Sequence, residues 1–491
     1  MNLAAVVIVA LAAVLIGAFG LRLSRTTSDF YVASRTVTPL WNASAIGGEY
    51  LSGASFLGIA GLILTHGADM LWLPVGWTGG YLVLLVLVSA PLRRSGAYTL
   101  PDFAESRLES MAVRRTASVL VVLIGWLYLM PQFQSAGLVL QTITGAPVWV
   151  GGLVVALVVA VNVLSGGMRS ITFVQAFQYW LKLTALAVPV LFLLLAWRQD
   201  GAPELHDPAW TQPLTGDGEY GLYSTYSLIL ATFLGTMGLP HVLVRFYTNP
   251  DGRAARRTTL VVLSLLGAFY LMPGIYGWLG RLYAPGLEPP DTVVLTLPSL
   301  MVGGTAGDLL TALVTGGAFA AFLSTSSGLT VSVAGVIAQD LLKGGVRAFR
   351  VATLLAVAVP LGLALQARAL SIADVVGLAF AVAASSFCPL LVLGIWWRRL
   401  TSAGALAGLF VGGGLACAAV LAQITGGPYG GLVGALVSQP AAWTVPIAFL
   451  VMVVVSLLTP GRIPKGVART MVRLHTPENL ALDRGDWRPR D

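Results

Sequence analysis

Long apolar runs separated by short polar stretches dominate the chain. Runs of about 20 apolar residues, the length an α-helix needs to cross the hydrocarbon core, begin near Leu3, Leu40, Met70, Thr116, Val148, Ile171, Gly221, Thr258, Gly303, Phe349, Ile372, Thr401 and Trp443. The pattern predicts thirteen membrane-spanning helices. The run from Gly303 to Leu342 exceeds one straight crossing and is expected to include an external lead-in. Gly and Pro lie inside the runs rather than in linkers, which membrane helices tolerate because neighbours re-satisfy the freed backbone groups.

Two spans are interrupted. The second carries Gly47-Gly48 and then Ser52-Gly53, and the seventh carries Gly235, Gly238 and Pro240. Each opens a block of five spans, and five is odd, so the blocks run in opposite directions through the membrane. Paired broken helices at matching positions of inverted halves point to a transporter's binding site. The predicted layout is a first peripheral span at 1–22, repeat one at 40–197, repeat two at 221–397, two peripheral spans at 401–459 and a basic tail at 460–491.

Charge sharpens this picture. Only 10% of the 491 residues are charged and 56% are hydrophobic, too little charge to cover the surfaces of soluble domains of this total length. The net charge of +8 is topological: with the N-terminus outside, 25 of the 29 Lys and Arg fall in alternate loops and the tail, against three (Arg198, Arg281, Arg368) in the opposite loops. Arg245 is counted among the 25 as a loop residue. By the positive-inside rule the favoured loops, and the tail with them, are cytoplasmic. This removes nucleic acid as a partner and makes the bilayer of a bacterial-type plasma membrane the expected environment. No Lys or Arg precedes the apolar run 3–21, so a first span is expected there rather than a cleavable signal. Cys388 and Cys417 sit in apolar runs without metal-ligand spacing, and His66, His206, His241 and His475 are scattered, so no enzyme is expected. No repeated filter loop suggests a channel. Nothing reads for or against a small membrane partner.

Ionisable residues within spans are functional hypotheses by default. Glu49 lies in the first break beside Tyr50, as a structural partner for freed polar groups, a cation or proton ligand, or a gate. Lys182 lies in mid-span and is expected to pair with an acid or face a cavity. In Ala321-Phe-Leu-Ser324-Thr325, the two hydroxyls and the Ala321 carbonyl share one helix face and offer up to three oxygens to a hard cation. Back-bonding of the hydroxyls to their own helix is the alternative.

Phe30-Tyr-Val-Ala-Ser-Arg35, Gly48-Glu-Tyr-Leu-Ser-Gly-Ala-Ser-Phe-Leu-Gly58, Gly238-Leu-Pro-His-Val-Leu-Val-Arg-Phe-Tyr247 and Val376-Gly-Leu-Ala-Phe-Ala-Val-Ala-Ala-Ser385 are similar, in order, to motifs of the sodium/solute symporter family, nearest its cation/acetate symporter branch. The resemblance implies an all-α, LeuT-type 5+5 inverted-repeat core with one helix before it and two after. It implies a sodium ion held by the carbonyls of Gly48, Leu51 and Ala321 with the hydroxyls of Ser324 and Thr325, and a solute near Ser52, Ser55, Gln132 and Thr236. Glu49 stands where the acetate branch has Asp, and Thr172 where many members have Asp. The expected function is symport, coupled to Na⁺ or H⁺ and needing no further cofactor, of a small monocarboxylate such as acetate, propionate or pyruvate. Another small solute (amino acid, sugar or vitamin) is the first alternative and a membrane sensor the second.

Overall fold

A chain in lipid must satisfy its backbone internally, and apolar runs of this length do so as helices. The computed structural model describes residues 1–21, 37–212, 219–342, 344–366, 372–425, 429–478 and 480, and these are helical with short connections and no strand. Nine helices among them are long and apolar enough to cross a membrane, ten with one bent pair taken as a single span. Every expected span start lies within a helix or one residue before it. The motif Phe30–Arg35, together with Arg22, Arg25, Lys343, Arg368 and the arginines at 484, 488 and 490, lies outside the described residues.

The starts at Val148 and Ile171 open two apolar segments, Val148–Leu164 and Ser170–Gln199, within the helix Val148–Gln199. One expectation changes. The run after Gly303 is one helix, Gly304–Val336, prolonged by a π-turn to Leu341. The lead-in is a separate short segment, Pro290–Val302, because Gly303 turns the chain with a positive φ of 67°. The hydroxyls inside Gly304–Val336 do not break it: Ser324 bonds back to Ala321 and Thr315 to Thr311.

Both expected breaks are present. The helix Pro39–Tyr50 stops at Leu51, whose ψ of 87° leaves the helical region, and the chain resumes as a π-turn Ala54–Gly58 followed by Ile59–His66. The second span, Gly221–Gly238 and Pro240–Phe246, bends by 44° at an extended Leu239. Pro240 supplies the reason, since it cannot donate to the preceding turn. The first broken helix and Gly304–Val336 both pack against Val148–Gln199, and Gly221–Gly238 packs against Ile372–Trp396. Gly48 allows the first of these contacts: a Cβ there would land on the backbone carbonyl of Gln175.

At the Arg-rich end of the bundle, the described part of the tail is not featureless. The helix Val467–His475 is seated by Arg473 Nε donating to the Arg94 carbonyl (3.1 Å), and its flank by the Gly466 amide donating to Glu109 (3.1 Å). Nearby, Arg114 is clasped by three carboxylates, Asp102 (2.9 Å), Glu105 (2.6 Å) and Asp340 (2.7 Å). Burial pushes the Asp102 carboxyl up to about 6 against the pull of Arg114. With three acids around one guanidinium, Asp102→Asn is expected to cost little, on the order of 1 kcal/mol or less, whereas Arg114→Ala leaves buried acids uncompensated and costs about 3–5 kcal/mol. Thermal inactivation of the two variants in detergent checks the ranking.

Candidate functional site

The first break frees backbone carbonyls in the protein interior. Leu51 N still donates to Gly47 O (3.1 Å) and Phe56 N to Ser52 O (2.9 Å), but the carbonyls of Gly48 and Leu51 turn to a side chain on another helix. That side chain is Lys182, fully buried in Val148–Gln199. Its Nζ donates to Gly48 O, to Leu51 O at 2.7 Å and to Ser324 Oγ at 2.9 Å. Ser324 Oγ in turn donates to Ala321 O (3.0 Å), and Thr325 Oγ1 donates to Glu49 O (2.6 Å). The residues expected to hold a cation are thus gathered in one place, and the ammonium of Lys182 stands among them. As arranged, they do not fit a sodium ion. Gly48, Leu51 and Ser324 already accept from Lys182, and the Thr325 hydroxyl is turned to Glu49. Lys182 pairs with carbonyl and hydroxyl oxygens rather than with an acid.

Glu49 answers a different charge. Its Oε2 lies 2.7 Å from Arg245 Nε, and both side chains are 1% exposed. Arg245 also donates to Thr172 Oγ1 (2.7 Å) and to Gln175 Oε1. The structure therefore corrects the reading of Arg245 as a loop charge: Pro240–Phe246 runs inward from the second break and carries Arg245 into the core. Thr172 serves as an acceptor for this arginine. An acid in one break and a base just past the other is the signal that could have found the pair.

Of the residues expected near the solute, Thr236 ties the two breaks together, and Gln132 and Ser55 tie the first break to neighbouring helices. Gln132 Oε1 accepts from the Gly53 amide (3.0 Å), Ser55 Oγ meets Tyr270 OH (3.1 Å), and Tyr50 OH meets Thr236 Oγ1 (2.7 Å). Ser52 is fully buried at the break beside Tyr128. Around them stands an aromatic wall that sequence reading missed. Tyr50 packs edge-on to Tyr81 (4.9 Å between centroids), Trp77 lies 5.6 Å from Phe380, and Tyr128 lies 5.9 Å from Phe380. His241, the second residue of Pro240–Phe246, is also new. It is fully buried, 5.3 Å from Tyr128, and neither ring nitrogen has a hydrogen-bond partner among the described residues.

The chain and its fold have known relatives. The sequence model of the sodium:solute symporter family matches residues 30–412. The chain is 31% identical over 459 residues to the uncharacterized symporter YwcA of Bacillus subtilis, covering 88% of this chain and 89% of that one. It is 32% identical over 440 residues to a monocarboxylic acid transporter of Corynebacterium glutamicum, covering 80% and 78%. In fold it is similar to a Na⁺-coupled sialic acid symporter (TM-score 0.71, 14% identity, 93% of this chain and 97% of that one). It is also similar to the nucleobase-cation-symport transporter MHP1 (TM-score 0.60, 14% identity, 91% and 99%).

Proposed function

Because the chain belongs to the sodium:solute symporter family, a family of multi-pass membrane transporters and not enzymes, we propose that the solute it carries with its coupling cation is a small monocarboxylate such as acetate, propionate or pyruvate. The observation that carries this reading is His241, a buried imidazole just past the second break and against Tyr128, with both nitrogens uncommitted among the described residues. An imidazole N–H is a donor suited to a carboxylate oxygen, and the aromatic wall of Tyr50, Trp77, Tyr128 and Phe380 limits the rest of the solute to a short apolar group. The relative described as a monocarboxylic acid transporter supports the same class.

The breaks also suggest how binding is felt by the whole bundle. Tyr50, Thr236 and Gln132 link the two broken helices and their neighbours through single hydrogen bonds. A solute that contacts both breaks stabilises the arrangement that brings them together, and a cation that prefers the same arrangement is thereby coupled to it. The Lys and Arg distribution supports an N-terminus outside and the Arg-rich end in the cytoplasm.

Competition tests the solute class. Propionate and pyruvate should each displace labelled acetate in proteoliposome exchange, while acetamide, its neutral near-isostere, should not. Equal competition by acetamide would move the reading to another solute of the family. His241→Ala should raise the KM for acetate about tenfold or more, since a hydrogen bond to a charged group contributes about 1.5–3 kcal/mol and each 1.4 kcal/mol is tenfold in affinity. An unchanged KM in correctly folded protein removes His241 from the site.

A further inference from the structure

The family's sodium ion has no room in the place the motifs assign to it, and the group that fills that place belongs to the chain. We propose that the ammonium of Lys182 is the resident cation of the cradle formed by Gly48, Leu51 and Ser324, and that transport by this protein therefore takes up no sodium there. The argument is one of matched valence. An ammonium has three N–H donors and no acceptor. Lys182 Nζ meets three oxygens, two of them carbonyls released by the first break and the third a hydroxyl whose own proton goes to Ala321 O. Each donor has one acceptor. Arg245, the other buried cation nearby, is spoken for by Glu49, Thr172 and Gln175, so the two positive charges have separate oxygen sets.

The placement also explains what a sodium ion would have done. It would have joined the first broken helix to Gly304–Val336 across Val148–Gln199. Lys182 makes that same link covalently anchored on the third helix, so the bundle is pinned at this point at any sodium concentration.

Sodium binding to the purified protein, without solute, tests this apart from any question of substrate. The wild type should show no shift in thermal stability when choline is replaced by sodium at constant ionic strength. Lys182→Ala, which strips the ammonium and leaves the oxygens, should become sodium-sensitive, with a shift of several degrees that saturates. Sodium stabilisation of the wild type overturns the proposal, as does a Lys182→Ala protein that folds and ignores sodium. If that variant does not fold, acetate exchange by the wild type decides: rates within twofold in sodium and in choline are expected, and a tenfold loss in choline overturns the assignment.

Discussion

Glu49→Gln is expected to destabilise the protein by about 3–5 kcal/mol, the usual penalty for removing one partner of a buried ion pair. The cause is Arg245 rather than the glutamate itself. Both side chains are 1% exposed, and without the carboxylate the guanidinium faces only neutral oxygens, those of Thr172, Gln175 and the new amide. Removing both charges should be less damaging than removing one, so Glu49→Gln combined with Arg245→Gln should recover much of the loss. Glu49→Asp keeps the charge and should be intermediate, because the shorter side chain must stretch to reach Nε. Heating each variant in detergent and measuring the fraction that stays monodisperse gives the order: wild type, then Asp, then the double variant, then Gln. A Gln variant as stable as wild type would contradict the role given to this pair.

Gly48→Ala is the second severe change. A Cβ at this position collides with the Gln175 backbone carbonyl, which is held in a helix and cannot swing aside as a side chain could. Forcing extra volume into a packed interior costs about 1–3 kcal/mol or more. Here it also pushes apart the two helices that bring Lys182 to the Gly48 carbonyl. Gly267→Ala supplies the contrast. That glycine lies in the helix Gly252–Tyr283 with nothing near its Cβ position, so alanine should be neutral or stabilise by up to about 1 kcal/mol. Folded yield in membranes should fall sharply for the first and hold for the second; equal yields would remove the close-approach argument.

How much of this could be read from residues alone depends on whether the signal was local. The spans were legible because lipid imposes a fixed apolar length, and the breaks because Gly48, Gly238 and Pro240 announce themselves in sequence. The Ala321–Thr325 cluster was legible from helix periodicity. The direction of Lys182 was not: nothing in Phe-Gln-Tyr-Trp-Leu-Lys shows that its amine faces the carbonyls of residues more than a hundred positions away. Arg245 was misread for a related reason. In sequence it adjoins a basic loop, and only the entry angle set at Leu239 shows that it points inward. His241 carries no local mark of its role, which only its burial and its contact with Tyr128 reveal.

The central claim, that the protein concentrates a small monocarboxylate at the expense of a cation gradient, is tested most directly by labelled acetate in proteoliposomes. With a proton gradient imposed (acidic on the side of entry) and sodium absent, internal acetate should rise above its equilibrium level in protein-containing vesicles and not in protein-free ones, and should return when the gradient is collapsed. Uptake that never exceeds the level of protein-free vesicles, under either a proton or a sodium gradient, would contradict the account.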